Sequence, residues 1–361
     1  MMTTKMRTVI QITMSVVVLV AGLGCDGDGP VQPGEVKYNI YVAALDWVDG
    51  VATDPLYIID ADSMEVIDSI PQIGSLWDME VSPDGRWLYT YVHRGSIAGC
   101  SNDSLRRIDI KEKRIDWAVP SGLETYITLL DHGRVILRRW HQEAACPGGQ
   151  DLIDAATGKR IRTLPDSLHH GEGPVEGTLV AAILREGVGA PIVATDVQTD
   201  SVYGHFVPRT VTGTVFIPRF ARLHPDGETV LVIGGLATNV GWAVIGNLRT
   251  NDVFDSQRIF ATFGEGVFSS DGTLAVTSVR STGLTIFDID SKRHLASLLA
   301  VGGQIRFIGD TKSVITCGVP DYFHASDPLW KFDLTHLRLE TSVDLPLPEP
   351  LLGAMAVGRR P

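Results

Sequence analysis

Apolar residues along the chain recur in short runs separated by polar turns, and residues 56–92 show the pattern most clearly. Ile- and Val-rich runs at residues 56–60 and 65–70 flank a short turn, and the turn Ser-Pro-Asp-Gly at residues 82–85 precedes the aromatic run 87–92. Short runs of this composition between turn residues predict β-strands. The remainder of the chain repeats this unit with variation.

A first repeated marker is an apolar run that ends in Asp or Asn and is followed by a polar turn and a second strand. It occurs seven times, at spacings of 41 to 51 residues, in Asp60, Asp109, Asp154, Asp196, Asn247, Asp288 and Asp333. Short Asp and Asn side chains accept backbone N–H groups two residues on and close such turns. We therefore interpret these seven as turn residues and not as ligands.

A second marker, a glycine-containing turn before an apolar strand, lies between successive copies of the first. It is clear at Gly85, Gly133, Gly227 and Gly272 and weaker at Gly177, and residues 307–310 hold the last place without a glycine after the Asp. Glycine permits the positive φ of a tight hairpin. Four strands per unit and seven units predict an all-β fold, a seven-bladed β-propeller with four-stranded antiparallel blades.

The two ends of the repeat region complement each other. Residues from Tyr38 onward supply strands two to four of one blade, and the last apolar run, LLGAMAV at residues 351–357, matches the innermost strand before the first Ser-Pro-Asp-Gly turn. We predict that this C-terminal strand joins the N-terminal blade, which removes a sheet edge and closes the ring. Residues 38–361 would then form one domain.

The elements IID, VIDSI, SPDG and LYTY within residues 56–92 resemble the YVTN repeat of YncE-like seven-bladed propellers. The resemblance extends from Tyr38 to Val357 and weakens in the fourth and fifth blades. Relatives of that family include binding and surface proteins, enzyme-associated subunits and lactonase-like enzymes. The resemblance therefore implies a fold and leaves the function open.

The N-terminus has the features of an export signal. Lys5 and Arg7 precede an apolar stretch that is too short and too polar for a membrane span of about 20 residues but suits a signal peptide. The following AGLGC resembles the lipobox of bacterial lipoproteins, although Gly22 stands where that pattern prefers Leu. The resemblance implies a lipid on Cys25; the alternative is ordinary cleavage beside an incidental cysteine. Residues 1–24 would be the signal, and residues 25–37, rich in Gly, Pro and acid, a flexible tether.

Charge narrows the range of partners. The formal net charge is −12 and becomes −14 without Lys5 and Arg7. This acidic excess argues against nucleic acid and against electrostatic binding to anionic lipid, so the only expected membrane contact is the lipid anchor. We expect an exported monomer on the periplasmic side of the cell envelope.

Candidate binding residues lie where the channel of such a propeller opens. The loops from strand four to the next strand one, and from strand two to three, share one face, which we name the mouth face. Positions seven residues before each second-marker turn, and their neighbours, give the channel-mouth candidates Asp78, Glu124, His170, Arg219, Glu265 and Gln304. Asp78 and Glu265 are expected to face each other across the mouth; the alternatives are solvated loop residues or polar groups that bind channel water. No zinc-ligand spacing occurs, so neither a metal nor a cofactor is predicted.

A second candidate set lies at the ends of the second strands. The same place is basic in four blades, at His93, His141, Arg185 and Arg280. A partial basic ring on an acidic protein suits an anion, whereas the alternative is ordinary residues at loop entries. No GxSxG, P-loop, HExxH or CxxCH motif is present, so catalytic residues stay unknown.

Cysteine placement predicts one disulfide. Cys100 and Cys146 lie in equivalent loops after strand two of consecutive blades, and an exported protein meets an oxidising compartment. We predict that they pair; two free thiols are the alternative. Cys317 falls within a predicted strand and is interpreted as a small buried apolar residue.

Two functions fit these features. The first is a tethered scaffold that uses its channel face to hold a small molecule, a peptide or a cell-envelope protein. The second is a lactonase-like hydrolase with carboxylates and His170 at the channel mouth. The first is preferred because an enzyme should show a more convergent polar set.

Overall fold

The computed structural model describes fifteen stretches of the chain. Contacts divide the chain into Met1–Glu35 and Val36–Pro361, and every described residue lies in the second unit. The described residues are 36–44, 55–71, 75–93, 104–121, 126–140, 149–164, 169–174, 176–184, 187–237, 240–259, 264–279, 283–298, 303–317, 329–343 and 352–361.

The described residues form 28 strands. Those of the first half are β1 Tyr38–Ala44, β2 Leu56–Asp60, β3 Val66–Ile70, β4 Ser75–Val81, β5 Trp87–His93, β6 Ser104–Asp109, β7 Arg114–Pro120, β8 Tyr126–Leu130, β9 Val135–Trp140, β10 Gly149–Asp154, β11 Arg160–Leu164, β12 His169–Glu172, β13 Leu179–Ile183 and β14 Ile192–Asp196. Those of the second half are β15 Ser201–Phe206, β16 Ile217–Leu223, β17 Thr229–Ala237, β18 Val240–Asn247, β19 Val253–Ile259, β20 Gly264–Phe268, β21 Leu274–Val279, β22 Gly283–Asp288, β23 Arg293–Leu298, β24 Ile305–Phe307, β25 Ser313–Cys317, β26 Leu329–Asp333, β27 Arg338–Val343 and β28 Leu352–Arg359.

The strands form seven four-stranded antiparallel blades, which confirms the predicted propeller. Blade 1 has the order β28-β1-β2-β3, and blades 2 to 7 take β4–β7, β8–β11, β12–β15, β16–β19, β20–β23 and β24–β27 in turn. A parallel bridge between Glu172 and Arg222 joins the innermost strands of blades 4 and 5, so these two blades share one eight-stranded sheet.

The C-terminal strand closes the ring as predicted. β28 pairs antiparallel with β1, with register from Tyr38↔Arg359 to Ala44↔Leu352. Met355 and Ala356 on β28 are buried in the cores that blade 1 shares with its neighbours. The observed strand extends two residues beyond the predicted end, to Arg359.

Both sequence markers form the turns expected of them. Each of the seven marker Asp and Asn side chains accepts a backbone N–H two or three residues on. The residue four positions after each marker has positive φ, and Gly158 is the only glycine among these seven residues. Gly85, Gly133, Gly227 and Gly272 have φ of 72° to 78°, whereas Gly177 does not have positive φ, so blade 4 departs from the common hairpin.

The blades stack through alternating apolar side chains. On β4, Met79 and Val81 enter the core between blades 1 and 2, with Tyr41 and Ala356 beside them. The outermost strands are more exposed, as the pattern of β7 shows. The turns between strands one and two, and between strands three and four, share the face opposite the mouth face. We name it the turn face.

Candidate functional site: a charged cluster in the channel

Seven innermost strands, one from each blade, surround the central channel: β4, β8, β12, β16, β20, β24 and β28. Because side chains alternate along a strand, Asp78 and Glu80 share one face of β4, while Met79 and Val81 occupy the apolar face. Equivalent positions in other blades also carry charge. We name the six residues Asp78, Glu80, Glu172, Arg222, Glu265 and Arg306 the channel cluster.

Arg306 is the centre of the cluster. Its Nη1 lies 2.9 Å from Glu265 Oε2 of blade 6, and its Nη2 lies 3.9 Å from Glu80 Oε1 and 4.0 Å from Asp78 Oδ1 of blade 2. Blade 1 stands between blades 7 and 2 in the ring. At the two positions where β4 has its acids, the sequence of β28 has alanine, at residues 354 and 356.

Arg222 makes the second centre. Its Nη1 lies 3.1 Å from Glu172 Oε2 of blade 4 and donates a 3.0 Å hydrogen bond to the carbonyl oxygen of Gly266 in blade 6. A Cβ on Gly266 would lie 2.4 Å from the Leu231 side chain. Arg222 therefore links three consecutive blades at one level of the channel.

Asp78 of the cluster and the nearby Gln304 also bind backbone edges of neighbouring innermost strands. Asp78 Oδ2 accepts the Ile127 N–H of β8 at 2.8 Å, and Gln304 Oε1 accepts the Met355 N–H of β28 at 2.6 Å. An innermost strand has one edge without a strand partner, and these bonds satisfy part of it. Polar contacts thus join blades 2 and 3, 4 and 5, 5 and 6, 6 and 7, and 7 and 1.

Carboxyl groups outnumber guanidiniums in the cluster by four to two. Burial, with help from the neighbouring carboxylates, raises the pKa of Asp78 to about 8 despite the pull of Arg306. Burial also raises the pKa of Glu80. Burial lowers the pKa of Arg306, but the surrounding carboxylates outweigh this effect and raise it further above its ordinary value. Arg306 therefore stays charged, and Asp78 is a carboxyl group that titrates near neutral pH.

The structure places several of the predicted channel residues. Asp78 and Glu265 meet at one guanidinium, and Gln304 binds the backbone of β28. Arg219 is exposed on β16. His170 and His93 have their backbones in β12 and β5, but their side chains are outside the described part of the structure, as are the residues Cys25, Cys100, Glu124, His141, Cys146, Arg185 and Arg280.

Sequence reasoning did not select Glu80 and Arg222. Both stand five residues before the turn position of their blades, as do Glu172 and Arg306. This place is two residues after the one searched, on the same face of the strand. The same repeat alignment, extended by two residues along each innermost strand, would therefore have identified them.

Among the described residues, no group of three or more His, Cys, Asp or Glu side chains is arranged to hold a metal ion. The same residues contain no helix with the length and apolar character needed to cross a membrane.

Asp78→Asn is expected to flatten the dependence of stability on pH. The folded state keeps this proton up to about pH 8, whereas the unfolded state loses it near pH 4. Between these values the folded state binds the extra proton, so the group's contribution to the unfolding free energy falls as pH rises, by at most about 1.4 kcal/mol per unit. Urea unfolding from pH 5 to 8 measures the slope. Asp68→Asn is the control, because pairing with Lys113 lowers the pKa of Asp68. Equal slopes in wild type and Asp78→Asn would contradict the assignment.

A disulfide between Cys100 and Cys146 stays a prediction, because both residues lie outside the described ranges. Mass spectrometry of a non-reduced digest is expected to show a crosslinked peptide containing both residues. Closing a loop of this length could stabilise the fold by about 4 kcal/mol on the chain-entropy model. Alkylation of both thiols without reductant would refute the bond.

Structural comparison finds solved structures with a similar fold and little sequence similarity. A functionally unknown protein from Desulfotomaculum acetoxidans is 12% identical, with a TM-score of 0.61 over 89% of this chain and 98% of that one. Hydrazine synthase from Kuenenia stuttgartiensis is 15% identical, with a TM-score of 0.55 over 81% and 90%. Dihydro-heme d1 dehydrogenase NirN in complex with DHE is 14% identical, with a TM-score of 0.55 over 91% and 77%. No protein-family model and no curated protein sequence matches the chain. At these identities the likeness concerns the fold alone.

Proposed function

We propose that the chain is an exported, lipid-anchored propeller of the YVTN/YncE-like type that binds a small molecule, a peptide or a cell-envelope protein at the mouth of its channel. The observation that carries this proposal is the channel cluster, which brings six ionisable side chains from five blades together. Within the described residues, the buried Nε of Arg306 has no hydrogen-bond partner. It is a donor that a bound molecule could use.

The energetics of burial favour a binding role over a purely structural one. Removing charged groups from water costs several kcal/mol per ion, and apolar packing of similar volume is often as stable. In blades 1 and 6, the position equivalent to Glu80 carries an apolar side chain, Ala356 or Val267. Apolar residues could therefore occupy this position in every blade if its only role were to close the ring, so concentrated charge marks a candidate site.

The binding proposal is tested by thermal-shift screening of the mature protein with small molecules and peptides. A ligand present at 100 times its dissociation constant stabilises the protein by about 2.7 kcal/mol. Shifts from a channel ligand are expected to disappear in Glu265→Gln and to persist in Glu228→Gln, which alters an ion pair on the turn face. Ligands whose shifts survive Glu265→Gln would place binding elsewhere.

The anchor is tested by cell fractionation of Cys25→Ser. The variant is expected to move from the membrane fraction to the soluble fraction, because it lacks the residue that would carry the lipid. Stable anchoring requires more than one membrane-binding signal, and the tether supplies no apolar signal. Glu228→Gln, which keeps Cys25, should fractionate as wild type. A Cys25→Ser protein that stays with membranes would rule out lipidation as the anchor.

The hydrolase is a second candidate because Asp78 has a raised pKa and lies beside another carboxylate. A carboxyl group that titrates near pH 8 can donate or accept a proton at neutral pH. Under this proposal the purified protein hydrolyses members of a lactone panel, and Asp78→Asn abolishes the turnover. Absence of turnover across the panel would count against it.

A further inference from the structure

The described chain enters the propeller on the turn face. The Lys37 carbonyl accepts the backbone N–H of Arg360, and the Tyr38 carbonyl accepts the N–H of Ala61, which lies in the turn between β2 and β3. The ring of Tyr38 packs on Gly309, in the turn between β24 and β25. Each of these neighbours belongs to the turn face, so the first described residues, Val36 and Lys37, lie on that side.

The other end of the domain lies at the same place. The carbonyl oxygen of Arg359 approaches Gly85, in the turn between β4 and β5. Both ends of the described domain therefore lie among turns of blades 1, 2 and 7. The channel mouth is on the opposite face.

The length of the preceding tether limits which face can meet a membrane. Twelve residue steps separate Cys25 from Lys37, and a flexible coil of that length has a mean end-to-end distance of about 20 Å. A seven-residue strand such as β4 spans about 23 Å, which sets the height of a blade. A coil of that length attached at Lys37 is long enough to reach a membrane at the turn face without stretching. To place the mouth face at the membrane, a chain of twelve residue steps would have to run extended along the full outer height of the propeller and around its rim.

The turn face has two sectors that differ in charge, the first formed by blades 1, 2 and 7 and the second by blades 4 and 5. The turns of blades 1, 2 and 7, at residues 36–37, 60–65, 82–86, 109–114, 308–312, 333–338 and 359–361, carry nine basic and eight acidic residues. The turns of blades 4 and 5, at residues 174–178, 196–200, 224–228 and 247–252, carry one basic and six acidic residues. An anionic lipid surface repels the second sector and leaves the first nearly unaffected.

From the position of the chain entry, the tether length and this charge difference, we propose that the turn face of blades 1, 2 and 7 lies against the lipid surface and the channel mouth opens away from it. The proposal rests on the lipid anchor at Cys25. It gives the two faces separate roles: the turn face meets phospholipid, and the mouth face meets ligands or partners from the soluble phase.

Fluorescence quenching on vesicles tests the orientation. The full chain, purified with its lipid, carries a fluorophore on a non-natural amino acid at one of three exposed sites: Asp310 on the turn face of blade 7, Glu176 on the turn face of blade 4, or Val188 on the mouth face between β13 and β14. Vesicles contain zwitterionic and anionic phospholipids, with a nitroxide quencher on a fraction of the headgroups. Protein in detergent without quencher gives the reference intensity.

Quenching is expected to be greatest at Asp310, lower at Glu176 and at least several-fold lower at Val188 than at Asp310. Equal quenching at the three sites, or stronger quenching at Val188, in protein that floats with the vesicles would overturn the orientation and leave the anchor intact. Protein that fails to float would overturn the anchor and the orientation with it. Flotation therefore separates the two failures.

Discussion

A chain that ends at residue 350 is expected to aggregate or to unfold without a cooperative transition. It lacks β28, so the backbone edge of β1 is left open and the apolar surfaces that cover Met355 and Ala356 become exposed to water. The native state of a domain is only about 5–15 kcal/mol more stable than the unfolded state, and loss of a central strand removes a comparable amount. Calorimetry and light scattering measure the outcome. A truncated protein with the wild-type melting temperature would contradict the closure.

A single methyl group tests the same junction without deleting the strand. A Cβ on Gly85 would lie 2.1 Å from the carbonyl oxygen of Arg359, which is backbone of β28 and cannot rotate away. Gly213 has a similar positive φ, but a Cβ there meets no atom of the described residues within 4 Å. Both Ala variants lose about 1–2 kcal/mol from backbone strain, and Gly85→Ala loses about 1–3 kcal/mol more from overpacking. Equal losses in the two variants would show that β28 is not held against this turn.

The architecture was predictable because its signals are local and repeated. Asp60 and its six counterparts close turns with their own side chains, and Gly85 permits a backbone conformation that other residues resist. These effects depend on a few neighbouring residues, so they can be recognised in each copy. Ring closure could also be predicted, because the sequence of residues 351–357 is similar to that of β4.

The channel cluster was predictable only in part, because its contacts join residues far apart in the chain. Asp78 and Glu265 could be selected by their place in the repeat. Their shared partner could not be assigned, since Arg306 belongs to blade 7 and Asp78 to blade 2, with blade 1 between them in the ring. Such a contact depends on how strands pack around the channel. The pKa of Asp78 likewise depends on burial and on charges from other blades.

Replacing Arg306 with Met is expected to destabilise the propeller by about 3–5 kcal/mol, because it leaves carboxyl groups buried without their cation. Arg249→Met is the matched control. Arg249 forms a 3.2 Å ion pair with Glu228, but its side chain is 78% exposed, so its removal should cost at most about 1 kcal/mol. Urea unfolding of both variants at pH 7 gives the comparison. If Arg306→Met loses no more stability than Arg249→Met, the cluster does not hold the ring together.

The pH dependence of the stability lost in Arg306→Met identifies the cause of that loss. Without the guanidinium, the folded-state pKa values of the neighbouring carboxyl groups rise further above their unfolded values. A group with a raised folded-state pKa contributes stability that is lost as pH rises, so the variant should be closer to wild type at pH 5 than at pH 8. Adding Glu265→Gln should recover part of the loss at pH 8, because Glu265 Oε2 is the closest carboxylate oxygen to Arg306, at 2.9 Å. A loss that is the same at both pH values and unchanged by Glu265→Gln would indicate that Arg306 acts through packing and not through its charge.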